Sequence, residues 1–223
     1  MRISVLAVSG WMLAAAVVLA QDAKVAKVDS PAAVGEISPE IAALLSPTGF
    51  KVTKEGTQPV CEIWLAKEWP VSGDASATPE ILYPFAPGQF IGVARYPKKA
   101  ADFRDQDIPA GVYVLRYGHQ PVDGAHVGTS PTRDFLLLMP AAKDRNPAPP
   151  DYKTLTGISK ETTKTAHPAI LSLQRPAEGG GALSIREDMD HGWTIVRFMG
   201  KAKQGGSVKE IPLELVVVGK SAE

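Results

Sequence analysis

The sequence predicts a mainly β protein, an antiparallel β-sandwich of jelly-roll or immunoglobulin-like type with one or two short helices. About eight or nine short segments alternate apolar and polar side chains, which is the period of a half-buried strand. The chain also holds 20 Gly and 19 Pro among its 223 residues, a composition that favours turns over long helices. Short strands separated by frequent turns are typical of sandwiches and jelly rolls.

The first 20 residues have the pattern of a secretory signal peptide. Arg2 supplies a short basic region, residues 3–18 are mostly apolar, and residues 18–20 place short side chains where a signal peptidase would cleave. The segment is about long enough to span a bilayer, so an uncleaved anchor is the competing interpretation. The polar Gln21-Asp22 pair favours cleavage. We therefore expect a periplasmic or extracellular protein with no integral membrane segment after cleavage.

The mature chain is expected to contain one folded domain. Residues 21–37 show no sustained hydrophobic period and are predicted to form a flexible leader. Residues 38–223 contain no internal repeat and no second block of distinct composition, so they are predicted to form a single β-sandwich domain.

Two short helices are predicted from their first residues. Ser38 can cap a helix that begins at Pro39, because a Ser side chain accepts an N-terminal N–H bond and Pro fits the first helical position. Asp151 predicts a second helix in the same way, with Leu155 and Ile158 on one side.

The strands are predicted from alternation and from the turn residues between them. They lie at residues 50–54, 59–67, 89–96, 111–117, 134–139, 169–174, 182–187, 193–199 and 210–218. The first two form a hairpin around Glu55-Gly56. Residues 134–139 are continuously apolar after Asp134, which predicts a strand that is buried on both sides.

Charge and cysteine content restrict the function classes. The 24 basic and 24 acidic residues cancel, whereas a nucleic-acid-binding protein needs a clustered basic surface. We expect no nucleic acid among the partners, which leaves a small molecule, a glycan or a protein. Cys61 is the single cysteine, so the domain has no internal disulfide. It alternates with Ile63 and Leu65, which predicts a small buried side chain.

The segment from residue 116 to residue 135 is the predicted binding site. It joins two strong strands by a long connection, and long ordered loops often carry function. Its candidate ligand-binding residues are Arg116, Thr129, Arg133 and Asp134. Adjacent strand residues point to opposite faces, so Arg133 and Asp134 should not pair with each other. Either one could instead pair across the sheet, for example Asp134 with Arg116 or Arg95, and a structural ion pair is favoured over an active-site dyad.

The same segment offers a set of candidate metal ligands. His119, Asp123 and His126 combine imidazoles with a carboxylate, which suits a divalent ion such as zinc, copper or iron. A further ligand would have to come from elsewhere in the chain, with His167 or His191 as the candidates. The alternative is a surface loop in which these side chains are solvated.

Trp64 is a candidate for carbohydrate binding. It falls out of phase with Cys61, Ile63 and Leu65 and is therefore expected on the outer face of its strand. An exposed ring there could stack on a sugar, although strand aromatics more often pack in the core.

Three segments together resemble a family of secreted bacterial β-sandwich proteins of unknown function, found in environmental Gram-negative bacteria. They are residues 108–117 (IPAGVYVLRY), 126–135 (HVGTSPTRDF) and 167–173 (HPAILSL). The resemblance extends loosely over residues 45–218 and is most specific over 108–135. It implies export and a β-sandwich fold and brings no catalytic residues with it.

No signature of a known catalytic family occurs in the sequence. There is no G-x-S-x-G, H-E-x-x-H, C-x-x-C or Walker A pattern. These absences exclude only families that carry such a signature, and they do not exclude catalysis. We expect an exported protein that works by binding or as an accessory component rather than by recognisable catalysis. The alternatives are a metal-binding protein or metal-dependent enzyme that uses the 116–135 loop, and a carbohydrate-binding module.

Overall fold

A computed structural model describes residues 23–32, 35–55, 57–72, 78, 81–122 and 130–221. The predicted mainly β class is confirmed, and both predicted helices are present. The elements are β1 (Lys24–Val28), α1 (Pro39–Leu44), β2 (Gly49–Lys54), β3 (Gln58–Leu65), β4 (Trp69–Pro70), β5 (Phe90–Tyr96), β6 (Ala100–Ala101), β7 (Asp107–Ile108), β8 (Gly111–His119), β9 (Asp134–Pro140), α2 (Tyr152–Thr163), β10 (Ile170–Gln174), β11 (Ser184–Asp188), β12 (Trp193–Gln204) and β13 (Ser207–Val218).

The main strands form one large sheet that curls into a half-barrel. Their order is β1-β2-β3-β5-β8-β9-β10-β13-β12-β11, and β4 pairs in parallel with β12. Strand β10 joins the two halves of this sheet, because Ile170 to Ser172 pair with β9 and Leu173 to Gln174 pair with β13. A two-sheet sandwich is therefore not confirmed: the hydrogen-bonded ladder continues through β10 instead of stopping at a sheet edge.

The N-terminal segment, predicted as a flexible leader, contains a paired strand. Strand β1 pairs antiparallel with β2 over its full length, from Lys24 opposite Thr53 to Val28 opposite Gly49. Just beyond it, the carbonyl of Ser30 accepts a hydrogen bond from a core side chain. Backbone pairing thus supplies order that the weak hydrophobic pattern of 21–37 does not indicate. The predicted signal peptide, residues 1–20, lies outside the described residues.

The two helices begin as the capping residues predict. The Ser38 hydroxyl accepts a hydrogen bond from the Ile41 N–H (3.3 Å), and Asp151 accepts one from the Thr154 N–H (2.8 Å). Helix α2 is held against the sheet by polar contacts as well as by packing. The Thr162 hydroxyl donates to the Leu138 carbonyl of β9 at 2.9 Å, which fixes the helix across the face of that strand.

The core includes strands of the curled sheet that are covered on both faces. Strand β9 is buried from Asp134 to Met139, which confirms the prediction of a strand covered on both sides. Cys61 is buried as expected, and burial raises the pKa of its thiol to about 12. Among the described residues, no helix has the length and apolar character needed to cross a bilayer.

Candidate functional site

A cavity of about 500 Å³ lies between helix α2 and the sheet. Its size is within the range of small-molecule binding sites. The apolar wall is made by side chains from four parts of the chain: Phe103, Phe135, Leu137, Leu155 and Ile170. The charged and polar lining consists of Arg104, His119, Gln120, Tyr152, Thr156, Lys160, His167 and Ser221. No Asp or Glu occurs among the lining residues that the structure describes.

Strand alternation explains how the sheet contributes to this cavity. Gly118 pairs with Phe135, and Leu137 follows two residues later on the same face of β9. Gly118 leaves room for its neighbour, because a Cβ built there would lie 2.5 Å from Leu137 Cδ1. His119 is the last residue of β8. Its side chain lies on the opposite face of the strand from Gly118, and it also lines the cavity.

His119 is anchored to the core by a chain of hydrogen bonds. Tyr117 lies two residues earlier on the same face, and Asp134 is the direct partner of His119 across the β8–β9 pair. The Tyr117 hydroxyl is 2.8 Å from His119 Nε2 and donates a short hydrogen bond to Asp134 Oδ1. The two rings are also perpendicular, with centroids 5.0 Å apart. This arrangement fixes the imidazole at the end of β8.

Asp134 accepts further hydrogen bonds from the backbone. The N–H of Leu82 donates to Oδ2 at 3.0 Å, and the N–H of Tyr83 donates to Oδ1 at 3.2 Å. The carboxylate is fully buried, so these donors replace the water that it loses. Asp134 therefore ties the 82–83 segment to β9 and is not available to a ligand.

Burial determines the direction of the pKa shifts of His119 and Tyr117. Desolvation lowers the pKa of His119 below its ordinary 6.5; the Asp134 charge opposes the shift, and the Arg133 charge adds to it. Desolvation, followed by the hydrogen bond to Asp134, raises the pKa of Tyr117 far above its ordinary value. His119 is therefore neutral at pH 7, and Tyr117 keeps its proton.

Two cationic side chains line the cavity without an internal partner. Arg104 and Lys160 are half-buried, and neither side chain forms an ion pair or a hydrogen bond with the described part of the chain. Neither charge is paired within the described ranges, and no described lining residue is acidic, which favours an anion in this cavity.

A second cavity has a different character. It measures about 430 Å³ and is lined by Leu44, Glu68, Val71 and Phe90 together with several Pro and Ala residues. Glu68 is the one charged residue among its described lining residues, so this cavity does not favour an anion.

Arg116 is a structural residue rather than a ligand-binding one. It is completely buried and forms a two-pronged ion pair with Asp144, from Nε to Oδ2 at 2.5 Å and from Nη2 to Oδ1 at 2.8 Å. The prediction that Asp134 pairs with Arg116 or Arg95 is wrong. Arg116 lies on the opposite face of β8 from His119, the register partner of Asp134, and Arg95 pairs with Glu62.

Trp64 does not form a sugar-binding surface. Its side chain is 3% exposed, and Nε1–H donates to the Ser30 carbonyl at 2.8 Å. The prediction of an exposed ring is wrong because β3 is covered on both faces near its end, where Ile63, Trp64 and Leu65 are all buried. Alternation identifies an outer face only when one face of a strand is solvated.

The remaining predicted residues are only partly brought together. Arg133 is half-buried, and its Nε and Nη2 donate to the Gln120 carbonyl at 3.1 and 2.9 Å. His119 and His167 line the same cavity, with His167 exposed at its edge. Asp123, His126 and Thr129 lie outside the described residues. Within the described ranges, no group of three His, Cys, Asp or Glu side chains could hold a metal ion.

Sequence reasoning missed most of the cavity. Phe103 and Arg104 come from the β6–β7 turn, and Leu155 and Lys160 come from α2, so all four lie outside the 116–135 segment. The signal available in the sequence was the apolar side of α2, which had to cover some part of the sheet. Comparison of this chain with known protein families, with curated proteins and with solved structures finds no match.

Proposed function

We propose that this protein is an exported binding protein that holds a small organic anion with an apolar body, such as an aromatic or aliphatic carboxylate. The observation that carries the proposal is the composition of the 500 Å³ cavity, which combines an apolar wall with cationic side chains and no described acidic one. Such a lining suits a ligand with one apolar part and one negatively charged group.

The energetics favour this class over a neutral apolar ligand. Burying the ligand's apolar body against Phe135, Leu137 and Leu155 contributes about 25 cal/mol per Å² of apolar surface removed from water. Arg104 and Lys160 add charge-assisted hydrogen bonds to a carboxylate, which are stronger than neutral ones. A neutral ligand would leave both cations partly desolvated without a partner.

The N-terminal sequence supports the exported location. Its basic, apolar and small-residue regions have the order of a signal peptide, and one cysteine without a disulfide partner is compatible with a periplasmic or extracellular domain. A binding or accessory role outside the cytoplasm would bring the cavity into contact with small organic acids from the surroundings.

Calorimetric titration of the purified protein with 3-phenylpropionate and with the neutral 3-phenylpropan-1-ol tests the proposal. We expect the carboxylate to bind about tenfold or more tightly than the alcohol, because only the carboxylate pairs with the cations. Lys160→Met should reduce this preference. Lys153→Met is the matched control, since Lys153 is an exposed residue of the same helix that does not line the cavity. Equal affinity for the acid and the alcohol would contradict the proposal.

A divalent metal is the second candidate ligand. The observation that favours it is the presence of His119 and His167 on one cavity, with Asp123 and His126 in the adjoining segment of the chain. Thermal melts of chelator-treated protein with zinc, copper or iron test it, because an ion that binds the folded state raises the melting temperature. A shift that His167→Ala abolishes would support a metal protein, and no shift with any ion would remove this candidate.

A further inference from the structure

We infer that His119 is a specificity-determining residue which accepts a hydrogen bond from the ligand, so that the preferred ligand is an apolar acid carrying a hydroxyl group. This inference rests on the proposed function and narrows its ligand class. The observation behind it is the hydrogen-bond chain from Asp134 through Tyr117 to His119, which fixes where the imidazole proton lies.

The direction of each hydrogen bond follows from the donors around Asp134. Both of its oxygens already accept backbone N–H bonds, from Leu82 and Tyr83. The Asp134 carboxylate therefore only accepts hydrogen bonds, and the Tyr117 O–H donates its single proton in the hydrogen bond to it. The hydroxyl oxygen can then only accept from His119, so Nε2 carries the proton.

The other ring nitrogen of His119 is left as an acceptor. A neutral imidazole has one N–H, so Nδ1 holds a lone pair. Nδ1 has no hydrogen-bond partner within the described ranges, and His119 lines the cavity. A ligand that displaces water from this nitrogen without supplying a donor leaves it unsatisfied, which lowers affinity.

The cavity therefore presents two kinds of polar group to a ligand. Arg104 and Lys160 are donors that suit a carboxylate, whereas His119 is an acceptor that a carboxylate cannot satisfy. A hydroxyl on the apolar body supplies the missing donor. A site built to hydrogen-bond a hydroxyl discriminates strongly against the analogue that lacks it.

Titration with 3-phenylpropionate and its three ring-hydroxylated isomers tests the inference. At least one isomer should bind about tenfold more tightly than the parent acid, the size of one net hydrogen bond. His119→Phe should abolish this advantage, because the variant has no ring nitrogen to accept a hydrogen bond from the ligand hydroxyl. His191→Phe is the control, because His191 lies between β11 and β12 and does not line the cavity.

A measurement on the free protein tests the proton position separately. The ¹⁵N chemical shifts of the imidazole distinguish a protonated from an unprotonated ring nitrogen, and we expect Nε2 protonated and Nδ1 unprotonated at pH 7.5. Tyr117→Phe removes the hydroxyl oxygen that accepts the hydrogen bond from Nε2–H. Both tautomers of His119 should then be populated, and the preference for hydroxylated ligands should decrease.

The outcomes separate the inference from the proposed function. Binding of the parent acid with no advantage for any hydroxylated isomer would overturn the role of His119 and leave the anion-binding proposal intact. The opposite tautomer, or a hydroxyl advantage that survives in His119→Phe, would overturn it as well. Failure of all four acids to bind would remove the proposed function and this inference with it.

Discussion

Replacing Asp144 by Ala should destabilise the protein strongly, because it leaves the guanidinium of Arg116 buried without a counter-charge. Arg116 is fully buried and donates four hydrogen bonds: two to Asp144, one to the Gly88 carbonyl and one to the Asn146 carbonyl. The substitution removes half of these bonds and the whole of the opposing charge.

The expected loss is about 3–5 kcal/mol of unfolding free energy, the usual cost of breaking a buried ion pair by removing one partner. At about 2–4 °C per kcal/mol for a domain near 200 residues, the melting temperature should fall by roughly 6–20 °C. Arg95→Met is the control. Arg95 is 45% exposed in its 3.0 Å pair with Glu62, so its loss should cost at most about 1 kcal/mol.

Urea unfolding followed by tryptophan fluorescence measures both variants. The slope of free energy against urea should stay that of the parent protein, so that the midpoint alone reports stability. If Asp144→Ala cost no more than Arg95→Met, the guanidinium would have to reach water or another partner. The assignment of Arg116 to a structural role would then be refuted.

Three further predictions concern packing and titration. Gly200→Ala should lower stability by about 1–3 kcal/mol in urea melts, because its Cβ would lie 2.0 Å from Trp69 Cη2. Gly206→Ala is the control: a Cβ there meets nothing within 4 Å, so the substitution should be nearly neutral. Burial raises the pKa of the Cys61 thiol from 9.0 to about 12, so Cys61 should resist a thiol reagent at pH 8 until the chain unfolds. Reaction at the rate of an exposed thiol would refute this. Because the thiol loses its proton more easily in the unfolded chain, the free energy of unfolding should also fall as pH rises above 9. The pKa of His119 is lowered in the folded protein, so the unfolded chain binds more protons below pH 6.5. The free energy of unfolding should therefore fall as pH drops below that value, and it should fall less in His119→Phe. Identical pH profiles for the two proteins would contradict this.

Local structure was largely predictable from the sequence, because its causes are local. The cap at Ser38, the cap at Asp151 and the buried strand beginning at Asp134 all occur as predicted. Each depends on residue types within a few positions of one another. The hairpin around residue 55 is likewise set by two alternating segments and the turn between them.

The arrangement of strands was not predictable, because it depends on pairing between distant segments. Nothing local to β10 indicates that it pairs with β9 through Ile170 to Ser172 and with β13 through Leu173 to Gln174. The burial of the Arg116 side chain similarly depends on its ion pair with Asp144, which lies 28 residues away in the sequence. A charged residue that alternation places on a strand face is exposed or buried according to such partners.

The candidate site was predicted in part. His119 and His167 do line one cavity, but its apolar wall and its cations come from α2 and the turn after β6. Residues 123–129, where three of the predicted ligands fall, lie outside the described residues. The sequence locates polar groups along the chain, whereas a cavity is defined by which elements cover one another.

The central claim is that the cavity beneath α2 holds an apolar organic anion. The most direct measurement is a methyl NMR titration of the purified protein with 3-phenylpropionate. We predict saturable shifts of the Leu137, Leu155 and Ile170 methyl signals, with contacts between the ligand ring and these methyl groups. Shifts confined to Leu44 and Val71 would place the ligand in the second cavity, and no saturable shift would mean that the acid does not bind; either result would contradict the account.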